Sequence, residues 1–223
     1  LHNEIVLPNK DKNNVGDQYL GAFVLLPKPG LYNDVFCFDV NSLYPNIIIT
    51  FNMGPDTFNP NGEIKIGKGV GFNKGAGIIA RTLIDLNVNR QYWKKKKRNA
   101  KTPEERKVAH YKQFALKTLI NAHYGYIGQT TSRLYKKEVA EAITSMGRKL
   151  IKWTQSFLIN KGYNVIYMDT DSCFFVAKEK SLLRKMNEGN RLIKEINESY
   201  KDFASMFNGN DSTFIIEFEK LIK

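Results

Sequence analysis

An ionised carboxylate is costly to bury, yet this chain sets aspartates inside its most apolar short runs. Val35 to Val40 is apolar throughout except for Asp39, as a central strand covered on both faces requires. Val165 to Met168 and Cys173 to Val176 read as two further strands around a tight turn that carries Asp169 and Asp171. If these strands are neighbours, Asp39 and Asp171 converge, and a hard divalent cation gives the acids a purpose. Asp169 taken alone also reads as an ordinary turn residue.

At 223 residues, 42% of them hydrophobic, the chain is long enough to bury a sizeable core. No apolar run reaches the roughly 18 residues of a membrane span, and no secretory pattern opens the sequence. In a reducing compartment, Cys37 and Cys173 are expected to be buried free thiols, near each other if their strands adjoin. The formal net charge of +12 points to a polyanionic partner. Its placement says more than its size. Arg90 to Lys117 holds eleven Lys or Arg and two Glu, a local charge of +9. In isolation such a run is as often only a solvated helix face.

Residues 1–18, polar and rich in Asn and Lys, read as a linker. After Val40 the chain turns through Ser42 to Tyr44, and Pro45 fits the first position of a short helix through Ile49. Residues 59–77 are rich in Gly and Asn and read as a hairpin or loop. The Gly67-Lys68-Gly69-Val70-Gly71 piece lacks the spacing of a phosphate loop. Ile78 to Arg98 is a helix with a Lys-rich last turn. Thr102 caps the next helix, with Pro103 at its first position and Glu105 closing a capping box; this helix runs to about His123 and ends near Gly125. So short a link makes the two helices antiparallel. Val139, Ile143, Met146, Leu150, Trp153 and Phe157 form the core stripe of a long helix. Leu182, Met186, Ile193, Ile196, Tyr200, Phe203 and Phe207 mark another, and Thr213 to Phe218 closes with a strand. The fold class is α+β: an antiparallel sheet backed by helices, with one antiparallel helical hairpin inserted.

Three strings occur in order: Phe38-Asp39-Val40-Asn41-Ser42-Leu43-Tyr44-Pro45, Lys117-Thr118-Leu119-Ile120-Asn121-Ala122-His123-Tyr124-Gly125, and Tyr167-Met168-Asp169-Thr170-Asp171-Ser172. They resemble motifs A, B and C of the family B DNA polymerases, which follow D-x-x-S-L-Y-P-S-I-I, K-x-x-x-N-x-x-Y-G and Y-x-D-T-D-S. Tyr19 to Val24 and Asn52 to Thr57 look like the polymerases of T-even-type phages. The likeness runs from about Tyr19 to the end; Asn46, Gly54 and Met168 depart from the usual residues.

The resemblance implies a palm over residues 19–77 and 124–223 and fingers over 78–123, with the thumb beyond this sequence. The chain begins without Met and stops at Ile222-Lys223, so it is expected to be a piece of a larger protein, inactive alone. The implied activity is template-directed DNA synthesis. It needs two Mg²⁺ ions, for which Mn²⁺ can substitute, held by Asp39, Asp171 and the backbone oxygen of Val40, with Asp169 in support. Arg90, Lys94, Lys117 and Asn121 are implied around the phosphates of the incoming deoxynucleoside triphosphate (dNTP), with backbone N–H groups from Ser42 and Leu43. Tyr44 stacks beneath the deoxyribose and excludes a 2′-hydroxyl, and Tyr124 lines the minor-groove side of the nascent pair. Tyr19, Gly21 and Gly125 meet DNA. Glu219 is either a further carboxylate near the metals or a solvent-facing strand residue.

The expected partners are primer-template DNA, dNTP and, through sequence beyond Lys223, a sliding clamp. No membrane is involved, and the setting is cytoplasmic, the host cytoplasm for a viral protein. Two other readings stay open. One is a reverse transcriptase or RNA polymerase, disfavoured by the Lys117/Asn121/Tyr124 set and the Asp-Thr-Asp turn. The other is a basic nucleic-acid-binding module without catalysis, disfavoured by acids placed in apolar strands.

Overall fold

A strand apolar on both faces has to sit between other strands, and Val35–Val40 does. The computed structural model describes residues 19–75 and 77–223; the linker expected over residues 1–18 lies outside them. In chain order the elements are β1 (Val24–Leu25), β2 (Val35–Val40), α1 (Leu43–Thr50), β3 (Ile64–Gly67), β4 (Val70–Phe72), α2 (Ile78–Arg98), α3 (Pro103–Gly128), α4 (Lys137–Asn160), β5 (Val165–Asp169), β6 (Ser172–Val176), α5 (Leu182–Met206) and β7 (Ile216–Ile222). Five strands form one sheet in the order β1-β5-β6-β2-β7, every pair antiparallel. Strands β3 and β4 form a separate hairpin. Helices α2 and α3, joined through residues 99–102, pack along each other. This is the α+β arrangement expected from the sequence.

The two faces of β2 do different work. Phe36 and Phe38, both fully buried, point into the core, where Phe38 meets Phe175 edge-on with ring centroids 4.9 Å apart. Phe218 closes over both, at 6.0 Å from each. Helices α4 and α5 cover this face, tied together by a 2.7 Å bond between the hydroxyls of Thr154 and Tyr200. Cys37 and Asp39 lie on the other face. The register pairs Cys37 with Phe174 and Phe38 with Cys173, so the two free thiols are buried on opposite sides of adjoining strands. Adjacency of the strands does not bring them together, because side chains alternate along a strand.

Three of the element boundaries that differ from the sequence expectation have a clear physical reason. Helix α1 begins at Leu43 rather than Pro45, because Ser42 takes up a left-handed conformation (φ 48°) and accepts the first helical bond from Asn46 at 3.0 Å. Pro45 is tolerated there because first-turn N–H groups have no intrahelical acceptor. Helix α3 passes Gly125 and ends at Gly128, since its last turn carries the buried Ile127 into the core and a single glycine does not outweigh that burial. Strand β7 begins at Ile216 rather than Thr213. The Thr213 hydroxyl docks on that of Thr50 at 3.0 Å, and pairing with β2 starts only where Ile216 faces Val40. The capping box forms as expected: Glu105 N–H donates to the Thr102 hydroxyl at 3.1 Å, and Thr102 N–H to the Glu105 carboxylate at 3.4 Å.

Helices α1 and α4 approach closely at Gly147. A Cβ there would sit 3.2 Å from Cε1 of Tyr44, 3.5 Å from Cδ1 of Ile47 and 3.6 Å from Cδ2 of Leu43. A Cβ at Gly125 would meet nothing within 4 Å. The two positions therefore predict opposite signs. Gly147→Ala should destabilise the protein by about 1–3 kcal/mol through overpacking, whereas Gly125→Ala should stabilise it by about 0.5–1 kcal/mol through helix propensity. Urea denaturation of the two variants beside the parent checks both.

Candidate active site

Where β2 runs out, its last carboxylate meets the hairpin turn of the neighbouring pair. Asp39 lies opposite Ser172, whose hydroxyl donates to Oδ2 of Asp39 at 2.9 Å. One residue earlier, Asp171 occupies the turn between β5 and β6, and its carbonyl accepts from Val40 N–H at 2.9 Å. The turn is tight: Thr170 adopts the left-handed region (φ 53°), where a threonine is uncommon and its conformation must be held by its surroundings. Its N–H donates to the Phe23 carbonyl at 3.0 Å, which does that holding.

Both carboxylates are half-buried and line one cleft of about 440 Å³. Burial pushes Asp171 up to about 6, and the nearby Asp39 charge adds to the rise. Burial also raises Asp39, helped by Glu219 and Glu217 and opposed by the Ser172 hydrogen bond and by Lys117. Among the described residues no group of three or more His, Cys, Asp or Glu side chains gathers into a metal cluster. The cleft thus brings together the carboxylates of Asp39 and Asp171, hard oxygen donors suited to a cation that keeps several waters, while Val40 does not line it. Two half-buried acids, both raised by burial and one raised further by the charge of the other, are also what such a cation relieves.

The opposite wall is cationic. Arg90 and Lys94 from α2 and Lys117 and Asn121 from α3 line the same cleft, with Asn41, Ser42, Leu43, Tyr44, Pro45 and Glu217 completing it. Arg90 is only 7% exposed, and its Nε has no hydrogen-bond partner. Its burial lowers its proton affinity, with Glu217 opposing the change. A buried guanidinium N–H left without an acceptor is a strong call for an anion. At the start of α1, Ser42 provides no side-chain cap, and Ser42 and Leu43 line the cleft.

Tyr44 and Tyr124 stack with ring centroids 4.3 Å apart and an interplanar angle of 26°. The Tyr124 hydroxyl lies 3.4 Å from that of Tyr19, and burial raises Tyr124 further above the ordinary tyrosine range. Gly21 is exposed, and its carbonyl accepts from Nη1 of Arg148 at 2.6 Å. Gly125 is exposed on α3.

Not every expected residue joins the cleft. Asp169 is exposed, and its carboxylate accepts from the hydroxyls of Tyr167 (3.3 Å) and Thr170 (3.0 Å) rather than lining the cleft. Glu219 accepts the Cys37 thiol at 3.0 Å, while burial first and Glu219 second push that thiol up to about 12. Glu217, which sequence reasoning passed over, is the β7 carboxylate opposite Asp39 and in the cleft wall. The alternation Glu217-Phe218-Glu219 marks both acids as sharing a face but does not choose between them. Gly147 and Arg148 carried no recognised signal beyond lying on the same helix.

The sequence model described as DNA polymerase family B matches residues 1–208. Over 164 residues the chain is 42% identical to a DNA polymerase of Thermococcus gorgonarius, an alignment covering 71% of this chain and 21% of that protein. Over 202 residues it is 37% identical to a DNA polymerase of Desulfurococcus sp. (strain Tok), covering 86% and 26%. The structure of the family B DNA polymerase from the hyperthermophilic archaeon Pyrobaculum calidifontis is similar with a TM-score of 0.69 at 32% identity, over 96% of this chain and 27% of that one. The chain thus spans about a quarter of the length of these relatives. All three are archaeal, so the phage-type likeness of Tyr19 to Val24 and Asn52 to Thr57 rests on those residues alone. An ordered set of three motifs, a cleft that faces acids across to cations, and a match over most of the sequence lead to one conclusion: the chain belongs to DNA polymerase family B.

Proposed function

We propose that this cleft binds an incoming dNTP and joins it to a primer 3′ end in template-directed DNA synthesis. The observation that carries the reading is Arg90, a guanidinium buried in the cleft wall with an unpartnered Nε, facing two acids whose proton affinity is raised. Phosphoryl transfer asks for positioning and charge neutralisation more than for covalent chemistry. Asp39 and Asp171, with backbone oxygen from Val40, hold the divalent cations, two Mg²⁺ or Mn²⁺ in its place, and Asp169 supports them from outside the cleft. When bound, the cations neutralise charge on the attacking and leaving oxygens. Arg90, Lys94, Lys117 and Asn121 orient the triphosphate, and the uncapped amides at Ser42 and Leu43 donate to it. Tyr44, backed by Gly147 and stacked on Tyr124, sets the floor beneath the sugar. Tyr19, Gly21 and Gly125 meet the DNA. In this reading residues 19–77 and 124–223 are the palm and 78–123 the fingers. The phage-type subgroup, a viral source with a host-cytoplasm setting, and a sliding-clamp partner rest on sequence resemblance alone.

In the full-length protein, Asp171→Asn should abolish primer extension while gel-shift affinity for primer-template survives, because DNA affinity comes mainly from basic residues. Extension near the parent rate would remove the metal assignment. Arg90→Ala should worsen dNTP use about ten- to a hundredfold in kcat/KM, the worth of a charge-assisted contact of about 1.5–3 kcal/mol; a loss confined to DNA affinity would reassign Arg90 to the nucleic-acid backbone. Tyr44→Val should raise ribonucleotide incorporation relative to deoxyribonucleotide, since discrimination there is a clash built against the wrong sugar. The ratio of kcat/KM for the two sugars on one template decides it.

A further inference from the structure

The basic run on α2 and α3 does not spend all its charge on the catalytic cleft. A separate cleft of about 280 Å³ between the two helices is lined by Lys94, Lys97, Arg98, Arg106 and Gln113. It adjoins the catalytic cleft through Lys94, which lines both. Helix geometry makes the grouping: Lys97 and Arg98 follow Lys94 by three and four residues on one face of α2. Arg106 and Gln113 lie two turns apart on α3, with Lys117 one turn further toward the acids.

The acids of the hairpin are kept elsewhere. Glu105 is tied up in the capping box, accepting from Lys101 N–H at 2.9 Å and from Thr102 N–H, and Glu104 and Glu105 line a different cleft with Lys95 and Lys96. Other cations of the run have aromatic partners: Lys96 lies 5.6 Å from the Tyr92 ring centroid and Lys112 4.1 Å from that of Trp93. Lys97 contacts Nδ1 of His110 at 3.1 Å, a group that neutralises nothing. Among the described residues, no ion pair reaches Lys94, Lys97, Arg98 or Arg106. Four cations and an amide around one small concavity, without a counter-charge, form a receptor for a compact polyanion, and the arginine forks match phosphate oxygens.

We propose that this cleft is a second polyphosphate site, one step outward from the catalytic one along the same cationic face. It takes a tri- or diphosphate group, either the triphosphate of an incoming nucleotide before insertion or the pyrophosphate released afterwards. The proposal rests on the dNTP reading of the neighbouring cleft for the source of that polyphosphate, though not for the binding itself. Steering of this kind works by raising the local concentration of the anion.

The test uses the full-length protein and a Lys97→Gln/Arg106→Gln variant, with circular dichroism melting to confirm folding. Calorimetric titration with inorganic tripolyphosphate should show two sites per chain in the parent and one in the variant. Arg90→Ala should remove the other site, and failure of that arm alone would overturn the catalytic reading while leaving this one standing. In steady state, a rise of roughly tenfold in KM for dNTP at unchanged kcat identifies the incoming triphosphate as the ligand. A similar rise in KM for pyrophosphate in the reverse reaction identifies the leaving group. Unchanged tripolyphosphate stoichiometry in the variant would overturn the proposal and make the face merely solvated. A variant that lost only primer-template affinity in a gel shift would overturn it in favour of a DNA-backbone contact.

Discussion

The pairing of β2 with β6 on one side and β7 on the other places nearly every side chain of the candidate site. On the inward face, Phe36 and Phe38 lock into Phe175 and Phe218, so the strand cannot slip by one residue without turning an aromatic ring into the cleft and an acid into the core. That penalty fixes the register, and the register sets Asp39 against Ser172 with Asp171 one residue beyond. The same pairing brings Glu217 opposite Asp39 from the other edge. The acids are thus held by hydrophobic packing on the far side of the sheet, and the cost of crowding them is met by core burial.

The second half of the site comes from an element that shares little core with the sheet. Helices α2 and α3 carry few buried residues, and their inner face presents Arg90, Lys94, Lys117 and Asn121 to the acids across open space. Arg90 is the exception among these cations: it is buried, unpartnered at Nε and held where the hairpin meets α1. Its burial lowers its proton affinity and Glu217 opposes that change, so the guanidinium sits in the cleft wall with its charge only partly compensated.

Much of this was legible from residues alone. The capping box at Thr102 and Glu105 needs only local spacing, and both its bonds form. Helix α2 occupies the expected span, Ile78–Arg98. Two of the boundaries that moved did so where a distant partner outweighed a local signal: Ile127 reaching the core past Gly125, and Thr213 docking on Thr50 before β7 could begin. The thiols show the same limit. Knowing that their strands adjoin says nothing of which faces they occupy until the register is known.

Motif order and residue type by themselves determined the family, the α+β class, the carboxylates at strand ends and the cations at helical spacing, because each depends on neighbours a few residues apart. Only the tertiary structure decided which of those residues share a cleft. It put Asp169 outside and Glu217 inside, sent Glu219 to the Cys37 thiol, and divided the basic run among three concavities. Local spacing specifies which side chains share a face of one element. Which face meets another element is set by strand register, the bulge between Cys37 and Phe38, and helix packing, all of which join residues far apart in the chain.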